Sequence, residues 1–191
     1  MNLLKNIKSF KLFIVLFCGT ILGVPEEITN PPTYDYDYYQ DRGDSFMNLG
    51  TKTYKGDTIF KVKRIDTSHI SYGITKYVNT DFFEDYSTSF IVKASKTSHL
   101  FAIRIQGEYP SRIDAVFDVL NGNVKGIENT DDFNNGHASI KKLSEGWYQC
   151  TLKVKPKTNN FKVIIGIANP NSAILNWESK SEINNSVFIA L

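Results

Sequence analysis

The chain has 191 residues, 41% of them hydrophobic and 22% charged, with a formal charge of +2. This balance excludes a disordered chain, and the length fits one domain with a sizeable core plus a short leader. The first 25 residues hold three lysines and no acids. The remaining 19 basic and 20 acidic residues sum to −1, so the basic balance belongs to the leader. The part after the leader shows no basic stripe along the sequence, which argues against nucleic acid as a partner.

In chain order, Lys5, Lys8 and Lys11 precede the apolar run Leu12–Val24. A positive segment followed by a short apolar one reads as a signal peptide over 1–24, and the run is too short for a spanning helix. The expected location is secreted or cell surface, with membrane contact only through a retained leader. Cys18 follows Phe17, which disfavours lipidation there. Removal of the leader leaves Cys150 as the sole cysteine and no disulfide framework. Residues 25–45, "PEEITNPPTYDYDYYQDRGDS", read as a linker or edge segment, because Pro31-Pro32 interrupts regular structure. Arg42-Gly43-Asp44 spells an integrin tripeptide, a match short enough to arise by chance.

From residue 46 to 191, short apolar alternations separated by turn residues predict an all-β domain, an antiparallel β-sandwich of the jelly-roll type with about nine or ten strands. The expected strands are Thr58–Ile65, His69–Tyr77, Ser87–Ala94, His99–Ile105, Ile113–Val119 and a short one at "VKGI". "ASIKKL", "WYQCTLKV", Phe161–Ala168 and "SVFIAL" complete the set. In the fifth, Ile113, Ala115, Phe117 and Val119 form the inward set, with Asp114 and Asp118 as solvated outer-face acids. "NGN" at Asn121–Asn123 predicts a hairpin turn. "ENTDDFNNGH" reads as a polar loop, and so does "NPNSAILNWESKSEINN".

"SEGWYQCTLKV" puts Tyr148, Cys150, Leu152 and Val154 on one face. Cys150 then behaves as a small buried hydrophobe, with no cation on its face to activate it. Trp147 falls on the polar face, either closing the end of the core or standing open to a sugar.

"FIVKASKTSHLFAIRI", "AVFDVLNGNVKGI" and "ASIKKLSEGWYQCTLKV", in that order, resemble a β-sandwich domain of the carbohydrate-binding-module type, found in phage tail proteins and secreted polysaccharide-active proteins. The matching segments are Phe90–Ala94, Ala115–Val124 and Ala138–Cys150, within Ser87–Val154, and "SVFIAL" fits the closing strand. Gln149 stands where the pattern has Arg, and Ser144-Glu145-Gly146 replaces a glycine-rich turn. The resemblance implies the fold and an accessory, non-catalytic role. It transfers no ligand-binding residue.

The three histidines lie in separate segments, and no nucleophile elbow, Walker loop or HExxH is present. Asp114 and Asp118 share a strand face about 13 Å apart, beyond the ~5–9.5 Å of a glycosidase pair. Glu108, approaching through its loop, keeps a glycan-cleaving enzyme as the third reading. No cofactor is expected. Structural calcium has two candidate loops, Asp81–Asp85 and Asn129–Asn135.

A sugar site needs aromatic platforms beside amide and charged groups. "QGEYPSR" supplies Glu108, Tyr109 and Arg112, and "NPNSAILNWESK" supplies Asn176 and Trp177, the latter either open to a sugar or tucked against the sandwich. Arg104, the odd polar member of its strand, either faces an acidic sugar or pairs with Asp114. The expectation is a non-catalytic module for a poly- or oligosaccharide, with a structural or adhesion β-sandwich as the alternative.

Overall fold

Alternating apolar and polar residues build strands here, and the strands close on one core. The structure is a computed structural model. It describes residues 40–42, 44–64, 72–79, 85–131, 133–179 and 185–191, all within the compact unit Tyr34–Leu191. The expected leader, Cys18, most of the expected linker and Asp81–Glu84 of one calcium candidate lie outside the described residues.

The first strands are β1 (Gln40–Arg42), β2 (Asp44–Tyr54), β3 (Asp57–Arg64) and β4 (Tyr72–Asn79). Next come β5 (Tyr86–Ala94), β6 (Leu100–Gln106), β7 (Arg112–Asp118) and β8 (Asn123–Thr130). The last are β9 (Phe133–Lys142), β10 (Trp147–Pro156), β11 (Asn160–Ile167) and β12 (Ser186–Ala190). Sheet I has the order β1-β4-β11-β6-β7-β8, and sheet II the order β2-β3-β12-β5-β10-β9. All pairings are antiparallel. The chain alternates between sheets along β3-β4-β5-β6 and again along β10-β11-β12, so each sheet interleaves early and late strands. That interleaving is the jelly-roll topology.

Twelve described strands exceed the nine or ten expected because β1 and β2 precede the first expected strand, and two expected strands are longer than read. β1, an edge strand, and the start of β2 fall inside the segment read as a linker or edge segment. "ENTDDFNNGH", read as a loop, is largely strand: β8 runs to Thr130 and β9 starts at Phe133. Polar composition misleads there because β8 and β9 are the last strands of their sheets and bury only part of their surface.

The core lies between the sheets. Phe101, Ile103, Ile105, Ile113, Ala115, Phe117, Val163 and Ile165 from sheet I meet Val62, Phe90, Val92, Cys150, Leu152, Val187 and Ile189 from sheet II. Ile113, Ala115, Phe117 and Val119 point inward as the alternation requires, and so do Tyr148, Cys150, Leu152 and Val154. The β7–β8 hairpin turns at Gly122, φ +72°, where a Cβ would sit 2.6 Å from the Tyr148 ring. Gly136 on β9 leaves space for Ile113, whose Cδ1 would lie 1.9 Å from a Cβ.

Trp147 neither caps the core nor stands open to a sugar. It lies on the outer face of sheet II, 3% exposed, stacked on Tyr54 at 4.8 Å with Ile59, Ile91 and Phe188 around it.

Candidate functional site

The outer face of sheet I carries more apolar groups than a solvated face should. Leu100 and Ala102 on β6, Val116 on β7 and Ile164 on β11 all point away from the core and are buried. They are covered by residues 169–179, a strap leaving β11 and crossing β6, β7 and β8. Trp177 and Ile174 of the strap complete this second apolar cluster. Gly126 on β8 admits Ile174, whose Cδ1 would lie 2.8 Å from a Cβ at that position.

Polar contacts hold the strap along its length. Asn169 N–H donates to Trp177 O at 2.9 Å, and Lys125 Nζ to Pro170 O at 3.1 Å. The Ser172 and Ser179 hydroxyls hydrogen-bond each other. The buried Arg64 guanidinium donates to Ser179 O at 2.6 Å and Ile167 O at 3.0 Å.

Beneath the strap lies an ionic cluster. Arg104 Nε donates to Asp114 Oδ1 at 2.6 Å, while its two terminal nitrogens grip both oxygens of Glu178 at 2.7 and 2.8 Å. Arg104 Nη2 also reaches Leu175 O at 3.0 Å. Trp177 Nε1 donates to Asp114 Oδ1 at 2.7 Å, with the Arg104 guanidinium 5.3 Å from its ring centre. Arg112 Nη2 donates to Leu175 O at 2.8 Å, and its Nε lies 3.3 Å from Asp114 Oδ2 as an ionic contact. Two cations and two carboxylates thus balance, as burial demands.

Asp114 is fully buried, not a solvated acid as its strand parity suggested. The strap removes the water that parity assumed. Burial pushes its carboxyl up to about 6, against the pull of Arg104 and of the Trp177 N–H. Arg104 is raised: burial pulls it down, but the charges and hydrogen bonds of Asp114 and Glu178 outweigh that. Asp118 remains at the surface as a turn acceptor for the Leu120 and Asn121 amides, both at 3.0 Å. Slight burial would raise its carboxyl, yet the Asn121 and Leu120 bonds and His99 hold it below the usual range.

The six candidates divide accordingly. Arg104, Arg112 and Trp177 converge around Asp114. Trp177 is 1% exposed with its N–H committed, so in this conformation no ring face is open to a sugar. Arg104 takes the Asp114 pairing and does not face solvent. Tyr109 is 72% exposed on the β6–β7 turn, with Arg112 at 5.6 Å from its ring centre. Glu108 is exposed in the same turn, its carbonyl accepting the Ser111 amide. Asn176 is exposed in the one-turn 3-10 segment Ile174–Asn176, beside the Leu175 carbonyl that both arginines hold.

Beyond the strap, one cross-strand row of the outer face of sheet I runs from the exposed Tyr77 to Arg112, whose side chain is 11% exposed against the strap. Tyr77 on β4 pairs with Lys162 on β11, Lys162 with Gln106 on β6, and Gln106 with Arg112 on β7. Their neighbours Val78, Phe161, Ile105 and Ile113 are in the core, so all four point outward. At ~4.8 Å per strand the row spans about 14 Å from Tyr77 to Arg112, and Tyr109 rises at its far end. Tyr77, 55% exposed, was absent from the sequence-based candidates. Its signal was available: Tyr77 alternates with the buried Val78, which makes it an outward aromatic.

The described part of the calcium candidate Asn129–Asn135 lies at the end of β8 and the start of β9, with Asn129 Nδ2 3.4 Å from Asn134 Oδ1. Among the described residues, no three His, Cys, Asp or Glu side chains come together as metal ligands. No family model matches this chain, and no curated protein matches its sequence.

Proposed function

We propose that this protein is a secreted, non-catalytic carbohydrate-binding module, and that the row Tyr77–Lys162–Gln106–Arg112, ending at Tyr109, is its glycan site. One observation supports this above the others. The two most exposed tyrosines among the described residues flank a flat strip of amide and cationic side chains in a single register. Aromatic rings stack on the apolar faces of sugars, while amide and guanidinium groups bond hydroxyls between them. The strip rests on β-strands, and Arg112 is held by Leu175 O of the strap and by its strand neighbour Asp114, so little ordering is required on binding. The carboxylates under the strap engage arginines, an arrangement that suits a scaffold better than a reacting pair.

The test is a glycan array followed by affinity electrophoresis of the full chain on any glycan retained. Tyr77→Ala and Tyr109→Ala should each weaken retention about tenfold, a loss of ~1.4 kcal/mol, with unchanged thermal unfolding. Retention unaffected by both substitutions would remove the strip as the site. Binding to no glycan, together with a trimer or larger assembly in size exclusion, would instead favour the adhesion role.

A further inference from the structure

The opposite face of the sandwich has a different chemistry. On sheet II the inward residues alternate with an outward set rich in lysine. Lys61 and Lys63 stand on β3, Lys93 on β5, Lys141 on β9, and Lys153 and Lys155 on β10. Lys61, Phe188, Lys93 and Trp147 share one cross-strand row, and Lys141, Gln149 and Ile91 share the next. Two strand spacings put Lys61 and Lys93 about 10 Å apart. These lysines come from four strands scattered over the sequence, so no basic run reveals them.

Among the described outward positions of this face, carboxylates occur only at the margin. Asp57 opens β3. Asp85 precedes β5 and takes Lys153 at 3.0 Å, an exposed pair of little energetic weight. Between the lysines lie Ser89 and Thr151, hydrogen-bonded to each other at 2.7 Å, with Ser87, Ser139 and Gln149. The face therefore offers a positive field with hydroxyl and amide groups beside the packed cluster of Trp147 and Tyr54.

We infer that this face binds an acidic polysaccharide, a sugar chain bearing carboxylate or sulfate groups, at a surface separate from the tyrosine-flanked strip. Charge complementarity selects an anionic polymer, and the hydroxyl groups match sugar hydroxyls. Two features set nucleic acid and lipid aside. Among the described residues, the aromatics of this face are packed together: Trp147 and Tyr54 stack on one another and are buried, and Phe188 packs against them, which presents no open ring to a base. Among the described residues, the large exposed apolar side chains, Tyr77, Tyr109 and Leu120, belong to sheet I and its turns, so none of them is placed to insert into a bilayer from this face.

The experiment measures binding of the full chain to heparin and to polygalacturonate, with dextran, duplex DNA and phosphatidylserine vesicles in parallel. Both acidic polysaccharides should bind at low salt and release as salt shortens the Debye length below about 10 Å. The triple variant Lys61→Ser/Lys93→Ser/Lys141→Ser should bind at least about tenfold more weakly. Lys141→Ser/Lys153→Ser, confined to exposed side chains, should also weaken binding and keeps the test valid if the triple variant unfolds. Tyr77→Ala/Tyr109→Ala should leave it within about twofold, because distant sites act independently. Loss of acidic-polymer binding in that tyrosine variant, unchanged binding in the lysine variants, or equal affinity for DNA or vesicles would each overturn the inference.

Discussion

Trp177 donates its indole N–H to Asp114 at 2.7 Å, joining two residues 63 positions apart in the chain. The same oxygen receives Arg104 Nε at 2.6 Å. One carboxylate oxygen therefore couples β6, β7 and the strap. It explains why a loop of polar composition lies flat on a sheet instead of extending into solvent.

Removal of Arg104 should be costly. Arg104→Met leaves Glu178 buried without its cation and Asp114 with only the longer Arg112 contact, which is expected to destabilise the fold by about 3–5 kcal/mol in urea unfolding. Trp177→Phe keeps most of the apolar area but deletes the N–H, and the expected loss is smaller, about 1–3 kcal/mol. A loss in Arg104→Met no larger than in Trp177→Phe would show that the cluster is not the anchor.

Asp114 should imprint a pH dependence on stability. Its folded carboxyl is pushed up to about 6 by burial, above the unfolded value near 3.8. The native state therefore holds the proton more tightly. Stability from this group is full below about pH 4, falls as pH rises towards 6, and is level above that. The span is at most about 3 kcal/mol, because each tenfold difference in proton affinity between the folded and unfolded chain is worth ~1.36 kcal/mol. Urea unfolding between pH 4 and 7.5, compared with Asp114→Asn, isolates it from other carboxylates: the variant should lack this fall. An identical slope in both proteins would rule the effect out.

Cys150 should be inert in the folded protein. It is buried among Phe90, Leu152 and Val154, and burial pushes its thiol well above the usual range. In a Cys18→Ala background, a disulfide reagent at pH 8 should label no thiol in native buffer and one in denaturing guanidinium. Rapid native labelling would place Cys150 outside the core.

Gly136 should tolerate no side chain. Gly136→Ala brings a Cβ within 1.9 Å of Ile113 Cδ1, inside a packed core. The expected cost is about 1–3 kcal/mol of stability, read as a lower midpoint in denaturant. A variant as stable as the parent would mean that Ile113 has room to move.

Part of the strap was readable in advance. β11 is apolar on both parities over Val163, Ile164 and Ile165, and β6 over Leu100, Phe101, Ala102 and Ile103. A strand apolar on both sides announces a second cover. What it does not announce is which segment provides that cover. Trp177 in a polar loop therefore stood equally as an open platform or as a ring tucked against the sandwich, and the structure takes the second; Asp114 between Ile113 and Ala115 looked like a solvated acid.

The order of residues along the chain was enough for the β-sandwich and its inward set, because a period of two is local and forces Ile113, Ala115, Phe117 and Cys150 to one side. The rest emerged only on folding. The strap over Asp114, the row from Tyr77 to Arg112, and the lysine face of sheet II each unite residues from separate strands. Their neighbours are chosen by register across sheets, and register between distant segments leaves no periodic trace in the chain.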